Sequence, residues 1–145
     1  MKKFLLALLL VGIARIEIAD AQVVNNGASI TIQNGAIVFA NTTLTNQDNG
    51  ANEGIIDNSG TLTVTGNVLN TTNAQFTNKA TTGIVNNNGN FTNSSGATLT
   101  LEAGSIYNVQ GDWLNNATVT ANNTSEVEFK GTNQLFQRGT SGVSC

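Results

Sequence analysis

One short theme recurs after the first twenty or so residues: an Asn-Gly or Ser-Gly turn, then a strand of three or four residues alternating apolar side chains with Thr. Gly54-Ile55-Ile56-Asp57-Asn58-Ser59-Gly60-Thr61-Leu62-Thr63 returns as Gly83-Ile84-Val85-Asn86-Asn87-Asn88-Gly89-Asn90-Phe91-Thr92. Five of these ten positions are identical, and the apolar ones stay apolar. A unit this short cannot bury its own apolar side and has to stack on neighbouring units. The repeat therefore points to an extended stack, a β-solenoid, and away from a fold organised around a pocket.

The local pattern specifies strands. Apolar and polar residues alternate cleanly in Ser29-Ile30-Thr31-Ile32, Thr61-Leu62-Thr63-Val64-Thr65, Thr98-Leu99-Thr100-Leu101 and Glu126-Val127-Glu128-Phe129. Ile30, Ile32, Leu62, Val64, Phe91, Leu99, Leu101, Val127 and Phe129 are the expected inward positions. Turn pairs such as Asn34-Gly35, Ser59-Gly60 and Asn88-Gly89 separate the strands, with Gly supplying positive φ at no steric cost. Antiparallel hairpins in a sandwich or barrel would use such turns. Parallel coils would use them as bends. The strands are short for a sandwich, and Asn and Thr recur where stacked coils form side-chain ladders. The offset between the two copies, from Gly54 to Gly83, is also too long for one hairpin. It fits one long coil or part of a two-coil unit. A single-stranded parallel β-helix is the expected fold.

Composition agrees. Only 10% of the residues are charged, against roughly 25% in an ordinary domain. Regular Val, Ile, Leu and Phe, with abundant Thr, separate the chain from disordered sequences. Residues 1–21 read as a signal peptide. Lys2 and Lys3 precede the apolar run Phe4 to Ala14, and Ala19-Asp20-Ala21 has the small-x-small form of a cleavage site. The run is too short to span a bilayer, which needs about twenty residues. Cleavage leaves Lys79, Lys130 and Arg138 against seven carboxylates, a net charge of −4. That balance argues against nucleic acid, whose partners present a basic face. The one Cys, Cys145, has no internal disulfide partner.

Three stretches carry a resemblance: Gly54 to Asn67, Gly111-Asp112-Trp113-Leu114-Asn115-Asn116-Ala117-Thr118-Val119-Thr120, and Val127-Glu128-Phe129-Lys130-Gly131-Thr132-Asn133-Gln134. They resemble the secreted β-helical, adhesin-like surface proteins of Bacteroidota exported by type IX secretion, and also autotransporter passenger repeats. The resemblance covers most of the mature chain and carries over no catalytic residue. It implies a right-handed parallel β-helix at the cell surface. Such proteins usually end in a sorting domain or a barrel. Neither pattern is present here, so the resemblance implies the N-terminal part of something longer.

Residues able to do chemistry are few. Without His there is no Ser-His or Cys-His pair and no imidazole metal ligand. Some β-helix enzymes cleave polysaccharide with carboxylates, and Asp48, Glu53 and Asp57 form the densest acidic group, followed by Glu126 and Glu128. They read as solvated surface charge. Calcium at Asp48, Glu53 and Asp57 is the sharper alternative, although the glycine-aspartate nonapeptide of calcium-binding solenoids is absent. Thr-x-Thr occurs at Thr43/Thr45, Thr61/Thr63/Thr65, Thr98/Thr100 and Thr118/Thr120. On one flat face these would make a hydroxyl array, as in ice-binding β-solenoids. Their uneven spacing counts against it, since the gap from Thr61 to Thr98 is far wider than those from Thr43 to Thr61 and from Thr98 to Thr118. Trp113, Tyr107 and Phe91 suit a sugar-stacking platform or, more simply, the core. Sequons at Asn41, Asn70, Asn90, Asn93, Asn116, Asn122 and Asn123 are what a chain rich in Asn and Thr gives by chance.

The sequence reads as a signal peptide over 1–21, a β-helix repeat domain over 22–137 and a flexible tail over 138–145. The expected function is a secreted, non-enzymatic adhesive or structural module at the cell surface. It has no assigned catalytic, cofactor or metal residue. Its expected partners are surface glycans or other cells, with no nucleic acid and no membrane after cleavage. The alternatives are a polysaccharide-acting enzyme and an ice-binding solenoid. With no capping helix after Phe136, the C-terminal end is expected to be uncapped, and open coil ends recruit other chains. Self-association is therefore expected, with Cys145 able to lock dimers. Light scattering with and without reductant checks this, and a strict monomer at high concentration would refute it.

Overall fold

The computed structural model describes residues 22–139; the leader and Cys145 lie outside the described residues. The first coil comprises β1 (Gln22–Asn26), β2 (Ser29–Ile32) and β3 (Ile37–Ala40). The second has β4 (Thr43–Gln47), β5 (Ile55–Asn58) and β6 (Thr61–Val64). The third has β7 (Val68–Asn70), β8 (Gln75–Asn78) and β9 (Ile84–Asn87). The fourth has β10 (Phe91–Asn93), β11 (Thr98–Leu101) and β12 (Ile106–Val109). The fifth has β13 (Trp113–Asn115), β14 (Thr118–Ala121) and β15 (Glu126–Phe129), and β16 (Phe136–Arg138) begins another rung. Every strand pair is parallel, and the strands form three sheets. Sheet A stacks β1-β4-β7-β10-β13-β16, sheet B stacks β2-β5-β8-β11-β14, and sheet C stacks β3-β6-β9-β12-β15. The fold is an all-β solenoid, and the sandwich is excluded.

The coil is shorter than the sequence repeat. On sheet A, Leu44 lies beside Val68, Val68 beside Phe91 and Phe91 beside Trp113, so each turn closes sooner than the step from Gly54 to Gly83. That step is thus neither one coil nor part of a two-coil unit. It carries β5 of sheet B onto β9 of sheet C, one full coil plus one face. The reason is local: a strand with alternating burial followed by a tight corner serves all three sheets, so sequence similarity tracks from face to face.

The corners need Gly for two reasons. In Ser94–Ala97 the Ala97 N–H donates to the Ser94 carbonyl at 3.0 Å, and Gly96 takes φ 84°. This left-handed third position is the demand of a type II turn. Gly89 differs from the expectation, because its φ is not positive. A Cβ there would collide with the Gly66 carbonyl oxygen of the coil before it, so Gly89 is needed for close stacking.

Inside, side chains in register form columns. Leu44, Val68, Phe91 and Trp113 stack along sheet A. Ile56, Phe76, Leu99 and Val119 stack along sheet B. Leu62, Val85, Tyr107 and Val127 stack along sheet C. All nine expected inward residues hold inward register, and eight are buried or packed on the core. Phe129 is 44% exposed because no described rung of sheet C follows it. Each fully buried Leu or Phe contributes about 1.5–3 kcal/mol. Ring centre to ring centre, Tyr107 lies 6.2 Å from Phe76 and 5.1 Å from Phe91, and Phe91 lies 4.3 Å from Trp113, so the aromatic residues tie coils three to five together.

Candidate functional site

Two polar arrays and a dispersed set of charges emerge from the stacking. The first array is internal. On sheet A each strand from β1 to β13 carries an Asn two residues after an inward apolar residue, and the register superimposes Asn25, Asn46, Asn70, Asn93 and Asn115. Each Nδ2 donates to the Oδ1 of the next coil, at 2.8, 2.9, 2.9 and 3.0 Å in turn. The same amides also donate to corner carbonyls, as Asn70 does to Thr98 at 2.9 Å. Burying an amide is tolerable only when its hydrogen bonds are made. The ladder satisfies that condition rung after rung and leaves only the first oxygen, Asn25 Oδ1, without a donor among the described residues. Asn58 and Asn78 repeat the device on sheet B at 2.9 Å. Asn70 and Asn93, both in sequons, are fully buried, so their side chains are inaccessible to glycosylation in the folded chain.

Asp48, Glu53 and Asp57 engage separate partners. Asp48 accepts from Asn73 at 2.8 Å, Glu53 accepts from Gln75, and Asp57 pairs with Lys79 at 3.3 Å. Lys79 also reaches Glu102 at 3.7 Å. Partly exposed pairs of this kind contribute about 0–1 kcal/mol. Among the described residues no three His, Cys, Asp or Glu come close enough to hold a metal ion. Glu126 and Glu128 point outward from sheet C, as the alternation required.

The aromatic residues are core. Phe91, Tyr107 and Trp113 are all buried, so they offer no sugar-stacking platform. Burial pushes the Tyr107 hydroxyl well above its ordinary value. The neighbouring Asn87 side chain opposes this, without a hydrogen bond of good geometry to the hydroxyl. Tyr107 therefore serves as packing volume.

The second array is external. The Thr-x-Thr motifs are divided among the faces: Thr43/Thr45 on sheet A, Thr61/Thr63 on sheet C, and both Thr98/Thr100 and Thr118/Thr120 on sheet B. The last two are adjacent rungs, Thr98 opposite Thr118 and Thr100 opposite Thr120. The next rung adds Gln75 beside Thr98 and Thr77 beside Thr100. Sheet B of coils three to five thus presents a grid of five Thr and one Gln. Scanning for Thr-x-Thr misses Thr77, because Gln75 stands where the second Thr would be.

In comparisons with known proteins, no family model, no curated protein and no solved structure matches this chain.

Proposed function

We propose that this protein is a secreted adhesive module of the cell surface whose solenoid works as a scaffold. The observation that supports the reading is the stack itself. Five coils are held by parallel main-chain ladders, with an interior ladder of amides. Such a stack holds its outward side chains at a fixed rung spacing, polar on sheet B of coils three to five and mixed with apolar residues such as Leu69, Leu114, Ile84 and Ile106 on the other two faces. Contacts of this kind are weak singly and gain by repetition. The partners it fits are surface glycans and neighbouring cells, and contact between copies at the coil ends would extend the array.

The test compares the soluble chain with the same chain displayed at high density on beads. Binding to immobilised glycans and to whole cells is measured for both. Display is expected to raise apparent affinity by about 10² or more. Equal binding of the two forms would sink the adhesive reading. New reducing ends released from a polysaccharide would replace it with the enzymatic one.

A further inference from the structure

The external grid has properties that its neighbours lack. Thr77, Thr98, Thr100, Thr118 and Thr120 face outward from one parallel sheet. Their hydroxyls make no hydrogen bond to another described residue. Each of the other Thr-x-Thr motifs has hydroxyls that are engaged. Thr45 accepts from Gln22 at 2.6 Å, and Thr43 accepts from the Asn67 N–H at 3.3 Å. Thr63 accepts from Asn86 at 3.4 Å, and Thr65 donates to Asn41 at 3.1 Å. The grid is also neutral. In the same columns the second coil places Ile55 and Asp57, and there the grid stops at the Asp57–Lys79 pair.

We propose that this face of sheet B binds ice. Parallel rungs lie about 4.8 Å apart, and alternate residues on a rung about 6.7 Å apart. Water oxygens joined by hydrogen bonds of about 2.75 Å in tetrahedral array have second neighbours about 4.5 Å apart. The rung spacing is therefore close to a spacing that the water lattice already contains. Thr suits the task because its branched Cβ restricts χ1, so hydroxyls and methyls are held in place before binding. An exposed charge would impose its own hydration shell; the six grid positions carry none, and Glu53, Asp57, Lys79 and Glu102 lie at the grid's border. Flat polysaccharide is the less fitting ligand. Sugars stack on exposed aromatic rings; no grid position is aromatic, Phe76, Phe91, Tyr107 and Trp113 are buried, and the exposed Phe129 belongs to sheet C. The proposal stands independently of the adhesive reading.

Ice recrystallisation is the measurement, on the full chain after leader cleavage. Thr100→Tyr puts a bulky ring at the middle of the grid, and Thr63→Tyr does the same on sheet C. Tyr is well accepted on exposed strands, and circular dichroism checks that both variants fold. The unmodified chain should inhibit recrystallisation. T100Y should raise the concentration required by about tenfold or more, and T63Y should leave it within about twofold. The proposal fails if the unmodified chain behaves like serum albumin, or if T63Y and T100Y weaken inhibition equally. It also fails if T100Y abolishes retention on insoluble cellulose while ice is unaffected, which would reassign the grid to polysaccharide.

Discussion

Leu99→Asp should lower stability by at least about 4 kcal/mol, because it removes a buried Leu and places a carboxylate where no cation can reach it. Leu99 has no exposed surface and lies in register between Phe76 and Val119 on sheet B. The neighbouring Thr100 faces the other way, so Thr100→Asp should change stability by no more than about 0.5 kcal/mol. A one-residue error in register would exchange these two results. Urea unfolding of both variants reads the difference directly. Because a solenoid couples each coil mainly to its neighbours, the loss should appear first in coils three to five. Hydrogen exchange on β8, β11 and β14 checks that. Equal midpoints for the two variants would overturn the inward assignment of Leu99.

Alternation made the strands legible. Thr61-Leu62-Thr63-Val64 and Thr98-Leu99-Thr100-Leu101 fold with every apolar residue inside. Ile37-Val38-Phe39-Ala40 is apolar at every position, so its phase could not be read. The structure turns Ile37 and Phe39 outward and pairs Val38 with the buried Leu62. Coil length was hidden for a different reason. The strongest sequence match lies between β5 with β6 and β9 with β10, which occupy different sheets. Three faces with the same local needs share one motif, and the motif's offset then overstates the coil.

The two arrays were hidden by variable corners. The inward column Ile30, Ile56, Phe76, Leu99 and Val119 on sheet B is unevenly spaced along the chain, with its widest step from Ile30 to Ile56. The extra length goes into corners such as the one between Gln47 and Ile55. Side-chain ladders were expected in kind, yet nothing in linear spacing singles out Asn46, Asn70 and Asn93. Their shared feature is the position two residues after an inward apolar residue of sheet A. The uneven intervals between Thr-x-Thr motifs were evidence against a common face. For the first two motifs they were a correct sign, since these lie on sheets A and C. The interval from Thr98 to Thr118, by contrast, is one coil.

Asn70→Asp should cost about 3–5 kcal/mol at neutral pH and should show an unusual pH dependence. Asn70 has no exposed surface, accepts from Asn46 at 2.9 Å and donates to Asn93 Oδ1 and the Thr98 carbonyl, each at 2.9 Å. An ionised Asp keeps the first bond and loses both donors, so its charge faces two oxygens in a buried column. Protonation returns one O–H donor. Burial and the two facing oxygens both favour the neutral form, so the folded pKa rises above the unfolded value of about 3.9. The folded state then holds its proton more tightly than the unfolded state, and stability falls as pH rises. Relative to the parent chain, the variant is least impaired below about pH 4, loses stability as pH rises through the raised folded pKa, and stays level above it. Urea midpoints of parent and variant from acid to neutral pH give the curve. The exposed Asn34→Asp serves as the control and should track the parent within about 0.5 kcal/mol throughout. A gap that stays constant with pH, or widens toward acid, would mean that the amide of Asn70 does not donate along the ladder.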